Sequence, residues 1–384
     1  MTNMSKKELL DEVKSRYLEA SKKEKGLILD EFCLNAEYNR KYAINILQAR
    51  YDYHRVSREG RKKRKKTYGA LTLAIIIKIW EFLEYPCGTR LQPVLLSTAE
   101  ALERFNEISI NEAIRDDLRK ISSRTLDRRL KKERQIRRLN RNRSTTRHGS
   151  LLKSSIPIRI TNWDISRVGF MEMDTVDHNG GDPSGERIYS LDMVEIYSGW
   201  GEQIAVMGRG EAEITAAIDA VKNEVPFGIK GLDSDSGGEF INWHLVRYCD
   251  QNKIFFTRSR PDRKNDNAYV EQKNNTHIRQ WLGYGRYDTI EQLKLINDLY
   301  RNELRLFNNF FRPVMKILSK EKINNSICRK KYDTAKTPYE RLMQCREIPN
   351  QKKKELRTIY LSLNPAELKR KIDQKIKKIR QMTK

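Results

Sequence analysis

The order of strand-like and helix-like segments in the second half of the chain is the feature that most limits its fold. Three short segments rich in β-forming residues, GFMEMDTV, RIYSLDMVEI and GEQIAVMG, precede the helical segment AEITAAIDAVKNE. A strand (IKGLDSD), a helix (NWHLVRYCDQN), another strand (KIFFTRS) and more helices follow. Hairpins followed by strand–helix–strand crossovers predict a mixed α/β sheet.

The first part of the chain predicts helices. Two short helices meet at a tight turn near Asn35, which favours a helix-turn-helix, although a plain helical bundle fits equally well. A second helix-turn-helix is predicted at 121–143, where Ser122 or Ser123 can cap a strongly basic helix. We expect this helix to enter a major groove through Arg124, Arg128, Arg129 and Lys132. The alternative is a solvated helix that touches only phosphates.

Changes in composition along the chain predict six regions. They are an N-terminal helix-turn-helix at 1–54, a basic linker at 55–68, a second helical DNA-binding domain at 69–143, a polar linker at 144–162, an α/β core at 163–312 and a basic, mainly helical C-terminal region at 313–384. The basic linker contains six consecutive Lys or Arg residues, a block that repels itself and does not pack.

The net charge indicates a polyanionic partner. The chain has 76 Lys and Arg residues against 51 Asp and Glu residues, a formal charge of +25, and nucleic acid is the commonest partner of such a surface. The longest apolar run, LTLAIII, is too short to span a bilayer, which needs about 20 residues. No apolar signal region follows Met1, so we expect a soluble intracellular protein without a membrane partner. The five cysteines form no CxxC pair, so no zinc ribbon is predicted.

Three acidic residues in separate elements form the candidate catalytic site. They are Asp174, Asp235 and Glu271, and 35 residues lie between the second and the third. Their carboxylates would make a hard-oxygen pocket suited to two Mg²⁺ or Mn²⁺ ions. Two such ions can activate a nucleophilic oxygen and stabilise the leaving oxygen of a phosphodiester. Composition does not separate Asp233 from Asp235, but the Asp-Ser-Gly register and the spacing favour Asp235.

Basic and amide side chains surround the third acidic residue. Arg260, Arg263, Lys264 and Lys273 are predicted to hold DNA phosphates near the site, although a solvated basic loop is the alternative for each. Asn274 shares or neighbours the helical face of Glu271 and is a further candidate donor. His178 is more typical of a hydrogen-bonded loop histidine than of a ligand, since hard ions prefer oxygen.

Several segments resemble those of a known family. MEMDTVDHNGG, IKGLDSDSGGEFIN and FTRSRPDRKNDNAYVEQKN resemble bacterial insertion-sequence transposases whose catalytic core is that of the retroviral integrase superfamily, the DDE enzymes. GYGRYD, LYRNELRLFNNFFRP, ISSRTLDRRL and KKYDTAKTPYERL extend the similarity over most of the chain. The resemblance implies an RNase-H-like core with a five-stranded mixed sheet flanked by helices. It also matches Asp174, Asp235 and Glu271 to the three metal-binding carboxylates.

The resemblance implies a DNA transposase with integrase and endonuclease chemistry. Such an enzyme binds the terminal inverted repeats of its element, hydrolyses a phosphodiester and joins the freed 3′-hydroxyl to double-stranded target DNA. It also implies two Mg²⁺ or Mn²⁺ ions, a homo-oligomer on DNA and a cytoplasmic, nucleoid-associated location in a bacterium. Ser236 stands where the family usually has Asn, which leaves open a DNA-binding regulator without catalysis. A nuclease without strand transfer is the other alternative.

Overall fold

The computed structural model describes residues 3–48, 68–137, 167–234, 239–240, 242–258, 270, 273–322 and 328–382. The chain divides into two compact units, 1–67 and 68–384, each with its own hydrophobic core. Asp235, Arg260, Arg263, Lys264 and Glu271 lie outside the described residues, as do nearly all residues of the two predicted linkers.

The first unit consists of three helices, α1 (Asn3–Glu19), α2 (Lys22–Ala36) and α3 (Arg40–Leu47). Ser21 begins α2 with a capping box to Glu24, and the Asn39 side chain caps α3. Glu37 adopts a left-handed conformation with φ of 53°, which ends α2 and makes the turn tight. The short helices and the tight turn that the sequence predicts are therefore present, and a DNA-binding role for them stays a prediction.

The second unit combines further helices with a sheet and a hairpin. Its elements are α4 (Ala70–Phe82), α5 (Gly88–Arg104), α6 (Glu112–Lys120), α7 (Ser123–Ile136), β1 (Phe170–Asp177), β2 (Ile188–Glu195), β3 (Gly201–Met207), α8 (Glu211–Glu224), β4 (Gly231–Ser234), α9 (Trp243–Gln251), β5 (Phe255–Arg258), α10 (a π-helical turn Asn274–Arg279 followed by Gln280–Leu282), α11 (Ile290–Leu299, the π-helical turn Tyr300–Leu304 and Arg305–Phe310), β6 (Ile317–Lys322), β7 (Cys328–Tyr332), α12 (Pro338–Gln344), α13 (Asn350–Ser362) and α14 (Pro365–Gln381).

Helices α4 to α7 form a helical layer with closely packed ends. The N-terminus of α5 meets the start of α7 so tightly that a Cβ on Gly88 would lie 2.1 Å from the Ser123 carbonyl oxygen. Asp127 accepts the Gly88 amide at 2.8 Å, and Ser122 caps α7 as predicted. Pro93 lies inside α5, and the helix tolerates the loss of one backbone donor there.

The sheet has the strand order β3-β2-β1-β4-β5. β1 pairs antiparallel with β2 and β2 antiparallel with β3, whereas β1, β4 and β5 run parallel. Helices flank this sheet, so the predicted five-stranded mixed sheet is confirmed.

The two faces of the sheet differ in polarity. One face carries buried apolar residues such as Met173, Leu191 and Met193. The other face carries a cross-strand row in which Gln203 stands opposite Asp192 and Asp192 stands opposite Asp174. Because successive residues of a strand point to opposite faces, this polar row is a property of one face alone. Polar side chains on a buried sheet face require hydrogen-bond partners, and α10 supplies them.

The C-terminal region contains a hairpin that the sequence did not predict, formed by β6 and β7. Helix α14 lies in the region predicted to be basic and mainly helical, and its apolar stripe of Leu368, Ile372, Ile376 and Ile379 is buried. Several of its cations pair within the chain, among them Lys369 with Glu84 at 2.9 Å and Lys375 with Asp298 at 2.5 Å.

Candidate active site

Asp174 lies in the middle of β1 and is half-buried. Its Oδ2 accepts a hydrogen bond from Asn274 Nδ2 at 2.6 Å, and its Oδ1 accepts the Thr175 amide at 2.8 Å. In the antiparallel register it stands opposite Asp192 of β2. Asp174 therefore presents a carboxylate that is oriented by named donors and remains partly accessible.

The described residues on both sides of segment 235–238 contact β1 beside Asp174. Ser234 ends β4 and pairs with Met173 in the parallel register. Glu239 accepts a hydrogen bond from Thr175 Oγ1 at 2.7 Å and lies 3.6 Å from the Arg209 guanidinium. The described residues that flank the segment containing Asp235 therefore both contact neighbours of Asp174.

Residues on both sides of Glu271 in the sequence also contact β1. The Val270 amide donates to Glu172 Oε2 at 3.1 Å. Asn274, three positions after Glu271, donates to Asp174. Glu172 and Asp174 are two residues apart and share a sheet face, so both contacts fall on one side of the sheet.

A buried polar cluster lies next to Asp174 on the same sheet face. Asp192 Oδ1 is 3.0 Å from His277 Nδ1 and accepts Gln203 Nε2 at 2.9 Å. A Cβ on Gly201 would lie 2.3 Å from the His277 ring, so the glycine admits the imidazole. Burial lowers the pKa of His277, although Asp192 opposes the shift, so the ring is held neutral against a carboxylate.

Lys273 is the described member of the four cations predicted around Glu271. Burial lowers its pKa to about 7, the charge of Arg312 lowers it further, and Asp192 opposes the shift. The side chain as a whole is half-buried, and the remaining solvent contact limits the size of this shift. Arg312 donates to the Thr276 carbonyl at 2.6 Å and to Gln280 Oε1 at 2.8 Å, so it anchors α10.

Two sequence alternatives for the site have structural roles. Asp233 is fully buried in β4 and accepts Thr257 Oγ1 at 2.5 Å, which makes it poorly suited to an ion that DNA must reach. His178 is also fully buried, and its Nε2 lies 2.8 Å from Ser190 Oγ. The interpretation of His178 as a hydrogen-bonded histidine agrees with this contact.

The basic helix α7 divides its cations between solvent and the protein. Arg124, Arg128 and Lys132 are exposed and Arg129 is half-buried. Arg134 instead pairs with Asp127 at 2.9 Å and lies over the Trp80 ring, and Arg137 pairs with Glu81 and Glu133. The four residues predicted to contact DNA precede Arg134 on α7, and they take no part in these internal ion pairs.

Sequence reasoning missed the roles of Asn274, Asp192 and Gln203. Asn274 was predicted as a candidate donor near the site, and in the structure it bonds Asp174. Its position three residues after Glu271 was the available signal, because residues three apart share a helix face. Asp192 gave no signal, since only the strand register brings it opposite Asp174. No group of three metal-binding side chains occurs among the described residues, which include one of the three predicted ligands.

The strand order and the strand directions define a mixed α/β protein with a five-stranded sheet flanked by helices. No family model matches the sequence. The chain belongs to the family of the uncharacterized protein y4rM of Sinorhizobium fredii, to which it is 31% identical over 324 residues, 84% of this chain and 91% of that protein.

Among solved structures, the catalytic core domain of BIV integrase is similar to part of the chain. The match covers 45% of this chain and 91% of that domain, with 16% sequence identity and a TM-score of 0.28. Within the part of the chain that the structure describes, no helix is both long and apolar enough to cross a membrane.

Proposed function

We propose that the protein is a DNA transposase that cuts and joins DNA at a site formed by Asp174, Asp235 and Glu271. The observation that supports this most is the convergence of two chain segments on β1, the strand that contains Asp174. Ser234, which precedes Asp235, pairs with Met173, and Asn274, which follows Glu271, bonds Asp174. The three predicted ligands thus belong to β1 and to these two segments.

Chain connectivity limits how far the two remaining carboxylates can be from Asp174. Consecutive Cα atoms are about 3.8 Å apart, so Asp235 begins one peptide unit beyond the residue paired with Met173. Three residues of chain span at most about 11 Å, which bounds the separation of Glu271 from Asn274. Val270, the residue before Glu271, is already bonded to Glu172. These limits on distance along the chain allow the three acidic residues to form a shared site.

The residues around Asp174 fit a hard divalent cation such as Mg²⁺ or Mn²⁺. Carboxylate oxygens are the ligands that these ions prefer, and Asp174 supplies one such group. Asn274 Oδ1 is buried without a hydrogen-bond partner among the described residues, so a further oxygen is available nearby. Two bound ions would supply an activated oxygen nucleophile and charge stabilisation for a phosphodiester displacement.

The chain's own residues would orient the site and bind DNA. Asn274 holds one oxygen of Asp174, and Arg312 fixes the helix that contains Asn274. Lys273 and the exposed cations of α7, Arg124, Arg128 and Lys132, are proposed phosphate contacts. Arg260, Arg263 and Lys264 are proposed for the same role from the sequence alone. The helix-turn-helix units would recognise the element's terminal repeats, and two copies would bring two ends together.

The experiment uses the full chain, Mg²⁺ and a labelled duplex that contains the DNA flanking the gene. Joined products support the transposase, cuts without joining indicate a nuclease, and binding without cuts indicates a regulator. Asp174→Asn, Asp235→Asn and Glu271→Gln should each lower cleavage by about a thousandfold while binding persists. The exposed turn residue Asp182 provides the matched control Asp182→Asn, which should cleave normally. Normal cleavage by Asp174→Asn would overturn the proposal.

A further inference from the structure

The hairpin β6–β7 has no role in the proposed chemistry. Its strands pair antiparallel from Ile317 with Tyr332 to Lys322 with Cys328. Among the described helices and strands, each of the two packs closely only against the other. The hairpin is therefore a two-stranded ribbon, and its Leu318, Lys330, Lys331 and Tyr332 side chains are exposed.

The base of the ribbon is fixed to the protein. Val314 and Lys336 exchange backbone hydrogen bonds of 2.9 and 3.1 Å. Asp333 accepts the Lys316 amide at 2.7 Å and pairs with Arg341 at 2.8 Å. The buried Arg341 also donates to the Val314 carbonyl at 2.9 Å. These contacts hold the base of the hairpin in one position on the protein. Binding a partner would therefore cost little conformational entropy of the hairpin.

The ribbon combines cations with exposed apolar and aromatic groups. Lys330 and Lys331 are exposed, as are 62% of Leu318 and 44% of Tyr332. Its two strands contain five basic residues against one acidic residue, Glu321. Lysines alone would serve solubility, but solubility gives no reason for an exposed leucine and tyrosine beside them.

The exposed charge adds an electrostatic argument for an anionic partner. Lys330 and Lys331 follow one another on β7, so the ribbon carries an exposed positive charge on each face. A polyanion along the ribbon would neutralise these charges. A two-stranded β-ribbon has the dimensions of the DNA major groove, and lysines contact the phosphates that border it. Lysines on an edge strand also oppose pairing with a second copy of the chain, which makes that occupant less suitable.

We propose that the hairpin β6–β7 binds double-stranded DNA in the major groove, at a place separate from the carboxylate site. The proposal takes DNA as the partner from the proposed function. The base of the hairpin lies at the β2–β3 turn, where the Lys316 ammonium is 4.9 Å from the Tyr197 ring. That turn is at the Phe170 end of β1, about 13 Å of strand away from Asp174. The hairpin would therefore hold DNA beyond the scissile phosphate.

The first test changes charge on the ribbon and at a matched place in the full-length protein. Lys330→Glu/Lys331→Glu is compared with Lys377→Glu/Lys378→Glu, two exposed lysines of α14 with the same change in charge. Binding to a fluorescent duplex of about 30 base pairs is measured by anisotropy over a range of salt concentrations. The hairpin variant should bind about tenfold more weakly, with a salt slope smaller by about 2, whereas the control stays near wild type.

Three results would overturn the hairpin proposal. They are equal binding by the hairpin variant and wild type, equal weakening of the hairpin variant and the control, and the absence of duplex binding by the wild type. If the two lysines only prevented pairing with another strand, glutamates would do so equally well, because they are also charged. The variant would then bind DNA as tightly as the wild type. Circular dichroism checks that both variants fold.

A second measurement identifies the occupant directly. A photo-crosslinking benzoylphenylalanine at Tyr332, whose side chain is exposed, should attach the labelled duplex on irradiation. Attachment to a second copy of the chain instead would refute the assignment. The cleavage assay separates this proposal from the proposed function, because duplex binding that depends on the hairpin can persist in a protein that never cuts. Conversely, cleavage that survives the hairpin change leaves the carboxylate assignment intact.

Discussion

Asn274 Nδ2 donates to Asp174 Oδ2 at 2.6 Å, joining a helix residue to a strand residue 100 positions earlier. The bond fixes which way the Asp174 carboxylate faces. It also ties α10 to the centre of the sheet. In the proposed function Asp174 is a metal ligand, and a residue that orients such a ligand commonly affects activity by about 10- to 100-fold.

The first prediction concerns this bond. Asn274→Ala should reduce Mg²⁺-dependent cleavage by about 10- to 100-fold and raise the Mg²⁺ concentration needed for half-maximal rate, because Asp174 loses a donor that orients it. The neighbouring Asn275 is exposed, so Asn275→Ala is the matched control and should keep the wild-type Mg²⁺ dependence. Equal Mg²⁺ dependence in the two variants would refute the positioning role of Asn274.

The second prediction concerns the buried pair of His277 and Asp192. His277→Ala should lower the free energy of unfolding by about 2 to 3 kcal/mol, because a fully buried carboxylate loses a partner at 3.0 Å. His244 is exposed on α9, so His244→Ala should change it by less than about 0.5 kcal/mol. Urea denaturation measures both. A cost for His277→Ala no larger than that of His244→Ala would contradict the prediction.

The third prediction concerns acid sensitivity. Burial lowers the pKa of His178 to about 3, whereas a histidine in an unfolded chain titrates near about 6.5. Between these values the unfolded chain binds a proton that the folded chain excludes. The contribution of this histidine to the free energy of unfolding is therefore fully present above about pH 6.5. It is lost as the pH falls towards about 3, by up to about 1.4 kcal/mol per pH unit.

The measurement for acid sensitivity is urea denaturation between about pH 7 and pH 5, where few carboxylates titrate. His178→Gln should show a shallower dependence on pH than the wild type, because its side chain has no titrating group. His244→Gln changes an exposed histidine and should keep the wild-type slope. If His178→Gln and the wild type lose stability in parallel, His178 is not the source.

The fourth prediction concerns the junction at Glu84, which follows α4 in a left-handed conformation with φ of 61°. Its carboxylate accepts Gln280 Nε2 at 3.1 Å and pairs with Lys369 at 2.9 Å, so it joins α10 and α14. Glu84→Ala should lower the free energy of unfolding by about 1 to 3 kcal/mol, because two mostly buried partners lose their acceptor. Glu112, with 80% of its side chain exposed, is the control site. A thermal melt that Glu84→Ala and Glu112→Ala shift equally would contradict the prediction.

The sheet could be predicted from the sequence because each strand carries its own signal. RIYSLDMVEI and KIFFTRS are short, rich in β-forming residues and bounded by residues that favour turns, and they form β2 and β5. The alternation from hairpins to crossovers then limits the topology to few choices. The hairpin β6–β7 lacked such a signal, since KILSKEK and CRKKY are dominated by lysine and arginine.

The candidate site was only partly predictable. The acidic residue on β1 could be selected because its spacing to the others resembles a known family. Partnerships such as Asn274 with Asp174 depend on which helix covers which sheet face, and a single sequence does not contain that information locally. The π-helical turn Asn274–Arg279 could not be predicted for the same reason. The contacts of His277 and Arg312 stabilise a backbone conformation that local propensity does not favour.

Helix α14 connects elements that are made much earlier in translation. Lys369 binds Glu84 beyond α4, Arg370 binds Glu107 beyond α5, and Lys375 binds Asp298 on α11. A ribosome-bound chain lacks these three links until its last described helix leaves the exit tunnel. Premature stop codons upstream of Pro365 would consequently yield products whose helical layer and sheet are less firmly joined, and cellular proteases would degrade them faster than the finished polypeptide.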